Sequence, residues 1–281
     1  MTGRDEYYNR AKQEGYRSRA AYKLKQVDEQ VGLFGPGNAV VDLGAAPGGW
    51  LQVAAEAVGP RGRVVGVDLQ RIDEFDETEG KLGPDDRAHV TTIRGDMTEE
   101  STLARLREEL GADEGDRPVD VVVSDMAPNM TGQYTLDHAR SVHLARQAFE
   151  VARELLAPGG DLVVKVFDGP DLDDLRDDVA REFEYVRDVR PEASRDSSSE
   201  LYLVAKGRIT APVAEGETVD VDVVDVGSEG DGIAKLDGYT VFVPGTATGD
   251  RVRVRITDLK PRFGFGEVVE ELDGDAGDGT E

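Results

Sequence analysis

A glycine-rich turn, VVDLGAAPGGW at 40–50, joins an apolar run to an amphipathic one. Gly44, Gly48 and Gly49 carry no Cβ, so backbone there can approach a bound molecule closely. The turn lacks GxGxxG spacing, and Pro47 and Trp50 crowd the start of the next segment, which disfavours a dinucleotide. Acidic residues close the runs that follow. Asp68 lies about 20 residues after the glycines, where a carboxylate accepts hydrogen bonds from both hydroxyls of a ribose. Asp96, in Gly95-Asp96, suits an adenine amino group, and Asp125 ends a fourth run in SDMAPN (124–129). A glycine turn with acidic strand ends describes a nucleoside cofactor without phosphates. S-adenosylmethionine, cationic at its sulfur and its amine, is the molecule expected. The plainer alternative is that these aspartates only cap helices.

Such a site needs a sheet to present it. AVVDL (39–43), RVVGVDL (63–69), HVTTIRGD (89–96), VDVVVSD (119–125), DLVVKVF (161–167), FEYVRDV (183–189) and ELYLVAK (200–206) are short, β-branched and bounded by turn residues, the signature of strands. Helical patterns lie near 18–31, 49–58, 98–110, 136–156 and 171–181, the fourth closed by Pro158-Gly159-Gly160. The alternation predicts an α/β fold, a Rossmann-like sheet with helices on both faces that binds its ligand beyond the carboxyl ends of the strands. After Gly207 the pattern changes. No helix is expected from Glu217 to Leu272; ETVDVDVVDV, YTVFVPG, RVRVRITDL and FGEVVEEL predict a small all-β barrel at the C-terminus. The expected domains are 1–207 and 217–272, with a linker at 208–216 and an acidic, disordered tail at 273–281.

The chain holds 58 acidic residues against 33 basic ones, a net charge of −25. The acids are spread over helices and loops, and arginine outnumbers lysine. This is the pattern of a protein from a salt-rich cytoplasm, where screening weakens self-repulsion; an acidic protein that avoids nucleic acid is the alternative. Positive charge concentrates in two islands, residues 1–25 and RVRVRITDLKPR at 251–262, which are expected to face phosphates. There is no cysteine, which excludes disulfides and thiolate zinc sites. His138 and His143 are five residues apart, not the four of a zinc helix, so no metal is expected and both are read as helix-surface or partly buried residues. With no long apolar run and no apolar core near the start, a soluble, cytoplasmic monomer without membrane contact is expected.

EGYRSRAAYKL (14–24), DLGAAPGGW (42–50), SDMAPN (124–129) and VVKVF (163–167) occur in this order. Together they resemble the FtsJ/RrmJ (RlmE) family of ribosomal RNA large-subunit methyltransferases, which act on a uridine 2′-hydroxyl. The resemblance implies a catalytic set on Lys23, Asp125, Lys165 and Glu200, and a cofactor site lined by Gly48, Trp50, Asp68, Asp96 and Asp125. It implies ribosomal RNA or the large ribosomal subunit as partner. Two departures stand out: ASRDSSSE (193–200) holds only Arg195 where the family often has several arginines, and the acidic insertion DEFDETEGKLGPDDR (73–87) has no obvious counterpart. The segment at about 209–270, through its stretch 230–256, resembles a TRAM domain, a small RNA-binding barrel. Phe242, Phe263 and Phe265 of this segment are candidates to stack bases, with the buried core the expected place for Phe242.

On this reading Lys165 removes the proton from the ribose hydroxyl or orients its oxygen toward the methyl group. The alternatives are the same chemistry on transfer RNA or a messenger cap, a non-catalytic RNA-binding ribosome-assembly factor, and a nucleotide-dependent dehydrogenase.

Overall fold

The computed structural model describes residues 3–75, 80–195 and 198–272. The tail 273–281 and the centre of the acidic insertion, 76–79, lie outside the described residues. Backbone contacts divide the chain into two compact units, one of 1–181 with 185–206, the other of 182–184 with 207–281.

In the larger unit the helices are α1 (Gly3–Gln13), α2 (Ala21–Val31), α3 (Gly49–Val58), α4 (Glu100–Leu110), α5 (Tyr134–Leu155) and α6 (Leu172–Ala180). The strands are β1 (Ala39–Leu43), β2 (Arg63–Asp68), β3 (His89–Arg94), β4 (Val119–Ser124), β5 (Leu156–Phe167), β6 (Phe183–Val189) and β7 (Glu200–Arg208). They form one sheet in the order β3-β2-β1-β4-β5-β7-β6. β1, β2, β3, β4 and β5 run parallel to one another, whereas β7 runs antiparallel to β5. The near-continuous valine runs suit strands covered on both faces. Val40, Val64, Val123 and Val163 share a core with α2 and α3. Val41, Val65, Val122 and Val164 alternate with them and are equally buried, on the face opposite, as the two-residue period requires.

β5 departs from expectation. It begins at Leu156, which pairs with Val119, and pairing resumes at Asp161 opposite Val121 after an irregularity that holds Pro158-Gly159-Gly160. α5 ends at Leu155, just ahead of these residues as expected, and they form in addition an irregularity in the strand that follows, which a strand tolerates without paired amides. The insertion is tied down on both sides of its undescribed centre. Arg17 donates to the carbonyls of Asp73 (2.7 Å) and Glu74 (2.6 Å) and stacks on Phe75, 3.9 Å from its centroid. Lys81 donates its amide to Glu56 (2.6 Å) and pairs with Glu14 (2.7 Å).

The smaller unit contains β8 (Thr218–Val226), β9 (Gly232–Leu236), β10 (Tyr239–Val243), β11 (Arg251–Leu259) and β12 (Phe263–Glu271), closed into a barrel in the order β10-β12-β11-β8-β9. Val221, Val223, Val241, Val243, Val252 and Val254 fill it. Phe242 is not in this core. It alternates with Val241 and Val243, so its ring points outward and lies 5.8 Å from Phe263 and from Phe265.

Candidate active site

The order of the sheet reverses between β1 and β4, and the crevice at such a switch point is where α/β sheets bind ligands. Gly44, at the end of β1, has φ of +77°, and a Cβ there would stand 2.2 Å from Met126 Cγ. The turns after β1 and β4 thus touch, which only glycine allows. Asp68 braces the glycine turn, its two oxygens accepting the amides of Ala46 (2.9 Å) and Gln70 (2.7 Å); each oxygen keeps a lone pair for a hydroxyl. Asp96 Oδ1 accepts both the amide (2.9 Å) and hydroxyl (2.7 Å) of Thr98, and these bonds hold its carboxyl below the ordinary range. Gly48, at φ +108°, precedes α3, and a Cβ on it would meet Phe75 and Arg17 at 3.0 and 3.1 Å. Trp50 is buried; its indole donates to the carbonyl of Ala20 (2.8 Å) and its ring lies 5.6 Å from that of Tyr202.

Asp42 was not singled out from sequence, although it lies in the glycine motif. It is 1% exposed, and neither carboxylate oxygen has a partner among the described residues. Burial, and then the nearby Asp125 and Asp68, raise its carboxyl well above the ordinary value. Three carboxylates converging on one crevice, one of them buried and unpartnered, fit a ligand that brings positive charge, because a buried acid otherwise stays neutral. A sulfonium and an ammonium meet that requirement.

The second half of the site depends on β7 running backward. Antiparallel pairing sets Lys165 opposite Tyr202 and Phe167 opposite Glu200. The last residues of β5 and the first of β7 therefore share the crevice edge. Lys165 Nζ lies 3.0 Å from Asp125 Oδ1 and also donates to the Asp125 carbonyl. Tyr202 donates its hydroxyl to the same Oδ1 at 2.6 Å, and burial followed by the charges of Asp125 and Glu200 keeps this phenol protonated. Lys23, from α2, pairs with Glu200 at 2.6 Å. Burial alone would raise the Glu200 carboxyl, but Lys23, aided by Lys165, holds it below the ordinary range. All four tetrad candidates are thus brought together. Tyr202 was missed, yet it carried a signal: it lies two residues from Glu200 on one strand, hence on the same face.

Lys23, Lys165 and Glu200 line a cavity of about 580 Å³, a size suited to a small ligand or a single nucleotide. Met130 and Tyr134 stand on its lining, 64% and 58% exposed, together with Arg19 and Arg195. Several residues of the first basic island have partners within the chain: Lys23 on buried Glu200, and at the surface Arg17 on the carbonyls of Asp73 and Glu74 and Arg10 on Glu14 (3.0 Å). On the barrel, Arg253 lies between Asp220 (2.6 Å) and Glu270 (2.6 Å), and Arg251 faces Asp222 (3.7 Å). Two of the four arginines in the second island, Arg251 and Arg253, therefore have carboxylates beside them, which leaves less of its charge for phosphate. A cleft of about 370 Å³ opens elsewhere on the barrel, lined by Phe242, Phe263 and Phe265 with Glu229 and Asp231.

The described residues contain no group of acidic or histidine side chains arranged for a metal, and no described helix is long and apolar enough to cross a membrane. The model of the FtsJ-like methyltransferase family matches residues 16–208, and that of the TRAM domain matches 212–269. Proteins named ribosomal RNA large subunit methyltransferase E are similar over nearly the whole chain. That of Haloquadratum walsbyi is 65% identical over 96% of this chain and 100% of its own, and that of Natronomonas pharaonis is 63% identical over the same shares. The acidic composition fits these salt-adapted relatives. A crystal structure of a Plasmodium falciparum protein described as a ribosomal RNA methyltransferase superposes with a TM-score of 0.57 at 25% identity, covering 69% of this chain and 98% of that one. The fold, the crevice and these matches together make the chain a member of the FtsJ-like methyltransferase family with a TRAM domain at its C-terminal end.

Proposed function

We propose that the chain transfers a methyl group from S-adenosylmethionine to the ribose 2′-hydroxyl of a uridine in large-subunit ribosomal RNA, in the cytoplasm. The observation that carries this reading is that Lys23, Lys165 and Glu200 line one nucleotide-sized cavity, with Lys165 paired to Asp125 of the acidic crevice and Lys23 paired to Glu200. The cofactor, when bound, supplies a methyl group activated on a sulfonium.

The protein's task is to place the hydroxyl in line, remove its proton and exclude water. Asp68 and Asp96 suit the ribose and adenine of the cofactor, while Asp42 and Asp125 suit its positive end. Lys165 directs two N–H donors at Asp125; an ammonium has three, which leaves one for the ribose oxygen. As an ammonium Lys165 thereby orients the hydroxyl oxygen toward the methyl group, and the proton released as the O–CH3 bond forms and the S–CH3 bond breaks passes to the Asp125 carboxylate. Lys23 and Glu200 hold the nucleotide on the opposite side. Residues 1–207 carry this chemistry, and the barrel, 217–272, holds RNA by stacking on its phenylalanines, a contact worth about 1–3 kcal/mol per base.

The test is methylation of ribosomal RNA, large subunits and transfer RNA with labelled S-adenosylmethionine, with modified nucleotides mapped. One ribose-methylated uridine in large-subunit RNA is expected. Label on a base, or only on transfer RNA, would overturn the assignment.

A further inference from the structure

Two consecutive polar residues of α5, Asp137 and His138, are buried although neither belongs to the tetrad. Asp137 fastens the loop that follows β4, accepting the amide (2.9 Å) and hydroxyl (2.8 Å) of Thr131 and the amide of Gly132 (3.0 Å). His138 fastens the other loop. Its Nδ1 lies 2.8 Å from the carbonyl of Phe167, and its Nε2 accepts the amide of Asp171 at 3.1 Å. A carbonyl can only accept and an amide N–H only donate, so Nδ1 carries the proton and the ring is neutral. The Asp171 carboxylate stands 3.3 Å from Nε2 and is exposed.

The reason lies in the strand register. β5 pairs with β4 only as far as Val164 opposite Ser124, so Lys165, Val166 and Phe167 overhang β4. On that side their backbone has no strand partner, and buried backbone groups must be satisfied. α5 supplies the partners. Ser141 Oγ accepts the Phe167 amide at 3.0 Å and donates to the His138 carbonyl at 2.7 Å, while His138 takes the Phe167 carbonyl. The ring fits only because residue 169 is glycine; a Cβ there would lie 2.4 Å from His138 Nδ1. A leucine would fill a similar volume without the cost of burying an imidazole, so the hydrogen bonds account for the choice.

We infer that His138 is a positioning residue for methyl transfer, holding the overhanging end of β5 through Phe167 and the 168–171 turn so that Lys165 is presented to the ribose oxygen. This rests on the assignment of Lys165 above. The test compares His138→Leu, which keeps volume and loses both bonds, with His138→Asn, whose amide can still donate to Phe167. Single-turnover transfer, RNA KM, S-adenosylmethionine affinity and melting are measured on each.

Misplacing a reacting group by about 1 Å costs up to about 10²-fold. His138→Leu should therefore lose on the order of tenfold to 10²-fold in rate, with cofactor affinity and KM unchanged, and His138→Asn should recover most of it. A leucine variant as fast as wild type overturns the inference, as does one that loses cofactor affinity and rate in proportion with no rescue by asparagine. If the leucine variant does not fold, Ser141→Ala removes only the oxygen shared by Phe167 and His138; a selective rate loss is expected, and unchanged transfer overturns the idea. Wild type in the same assay separates the two readings. No ribose methylation by wild type sinks the proposed function, whereas active wild type with indifferent variants sinks only the role of His138.

Discussion

Lys165 with Asp125 in the cavity and Arg253 with Asp220 on the barrel are both ion pairs, 3.0 and 2.6 Å apart. The first pair has side chains 7% and 21% exposed; the second, 41% and 42%. Distance alone would rank the barrel pair higher. Burial reverses that order, because charges shielded from water interact strongly and cannot be left alone, while exposed ones are screened. The two regions therefore use charge differently. In the proposed reaction the cavity uses it to orient atoms. The barrel, with carboxylates beside Arg251 and Arg253, presents an aromatic cleft instead. In an acidic protein suited to high salt, stacking is the sounder means of holding RNA, since phosphate contacts weaken as salt rises.

The widest gap between the regions should appear at Lys165. Lys165→Ala is expected to slow single-turnover transfer about 10²–10⁴-fold, the usual contribution of acid–base groups, while calorimetry finds S-adenosylmethionine binding unchanged. A near-normal rate would remove the cavity pair from the chemistry and erase the contrast.

Next in size is Glu200. Glu200→Gln leaves Lys23 without its partner and should cost about 3 kcal/mol, the low end for breaking a buried pair. The carboxyl of Glu200 is held low in the folded state, so its contribution is complete above the ordinary value near 4.3 and disappears as pH falls through the depressed one. Melting of wild type and variant in molar salt should therefore differ most near neutrality and converge as the pH falls through the depressed value. A gap that stayed constant with pH would show that the charge of Glu200 is not what stabilises the pair.

The smallest effects belong to the barrel. Phe263→Ala should raise the RNA KM by an amount worth about 1–3 kcal/mol and leave the saturated rate intact. Arg253→Ala should change stability by less than about 1 kcal/mol. If Arg253→Ala weakened RNA binding more than Phe263→Ala, the barrel would be reading phosphate after all.

Much of this was legible beforehand for stated physical reasons. Valine runs bounded by turns report strands buried on two faces, and the two-residue and three-to-four-residue periods distinguish sheet from helix, so the α/β unit and the barrel could be read directly. The bulge at Pro158-Gly159-Gly160 could not, because those residues end a helix as readily as they interrupt a strand. Phe242 was placed in the core for its hydrophobicity, but the barrel's register turned it outward. The basic islands could be counted as charge, but the pairing of Arg253 with Asp220 and Glu270 on neighbouring strands is invisible to a linear count.

The linear order of residues determined which groups are available: the glycine turn, the acidic strand ends, Lys23, Lys165 and Glu200, and a net charge of −25. Local pattern is enough for that, because periodicity and turn chemistry act over a few residues. Only the tertiary structure decided which of them meet. The antiparallel return of β7 brings Glu200 and Tyr202 to the end of β5, and the overhang of β5 past β4 recruits His138. Those are matters of register between segments distant in the chain. Burial, which sets how strongly each charge acts, follows from that register and from nothing nearer in sequence.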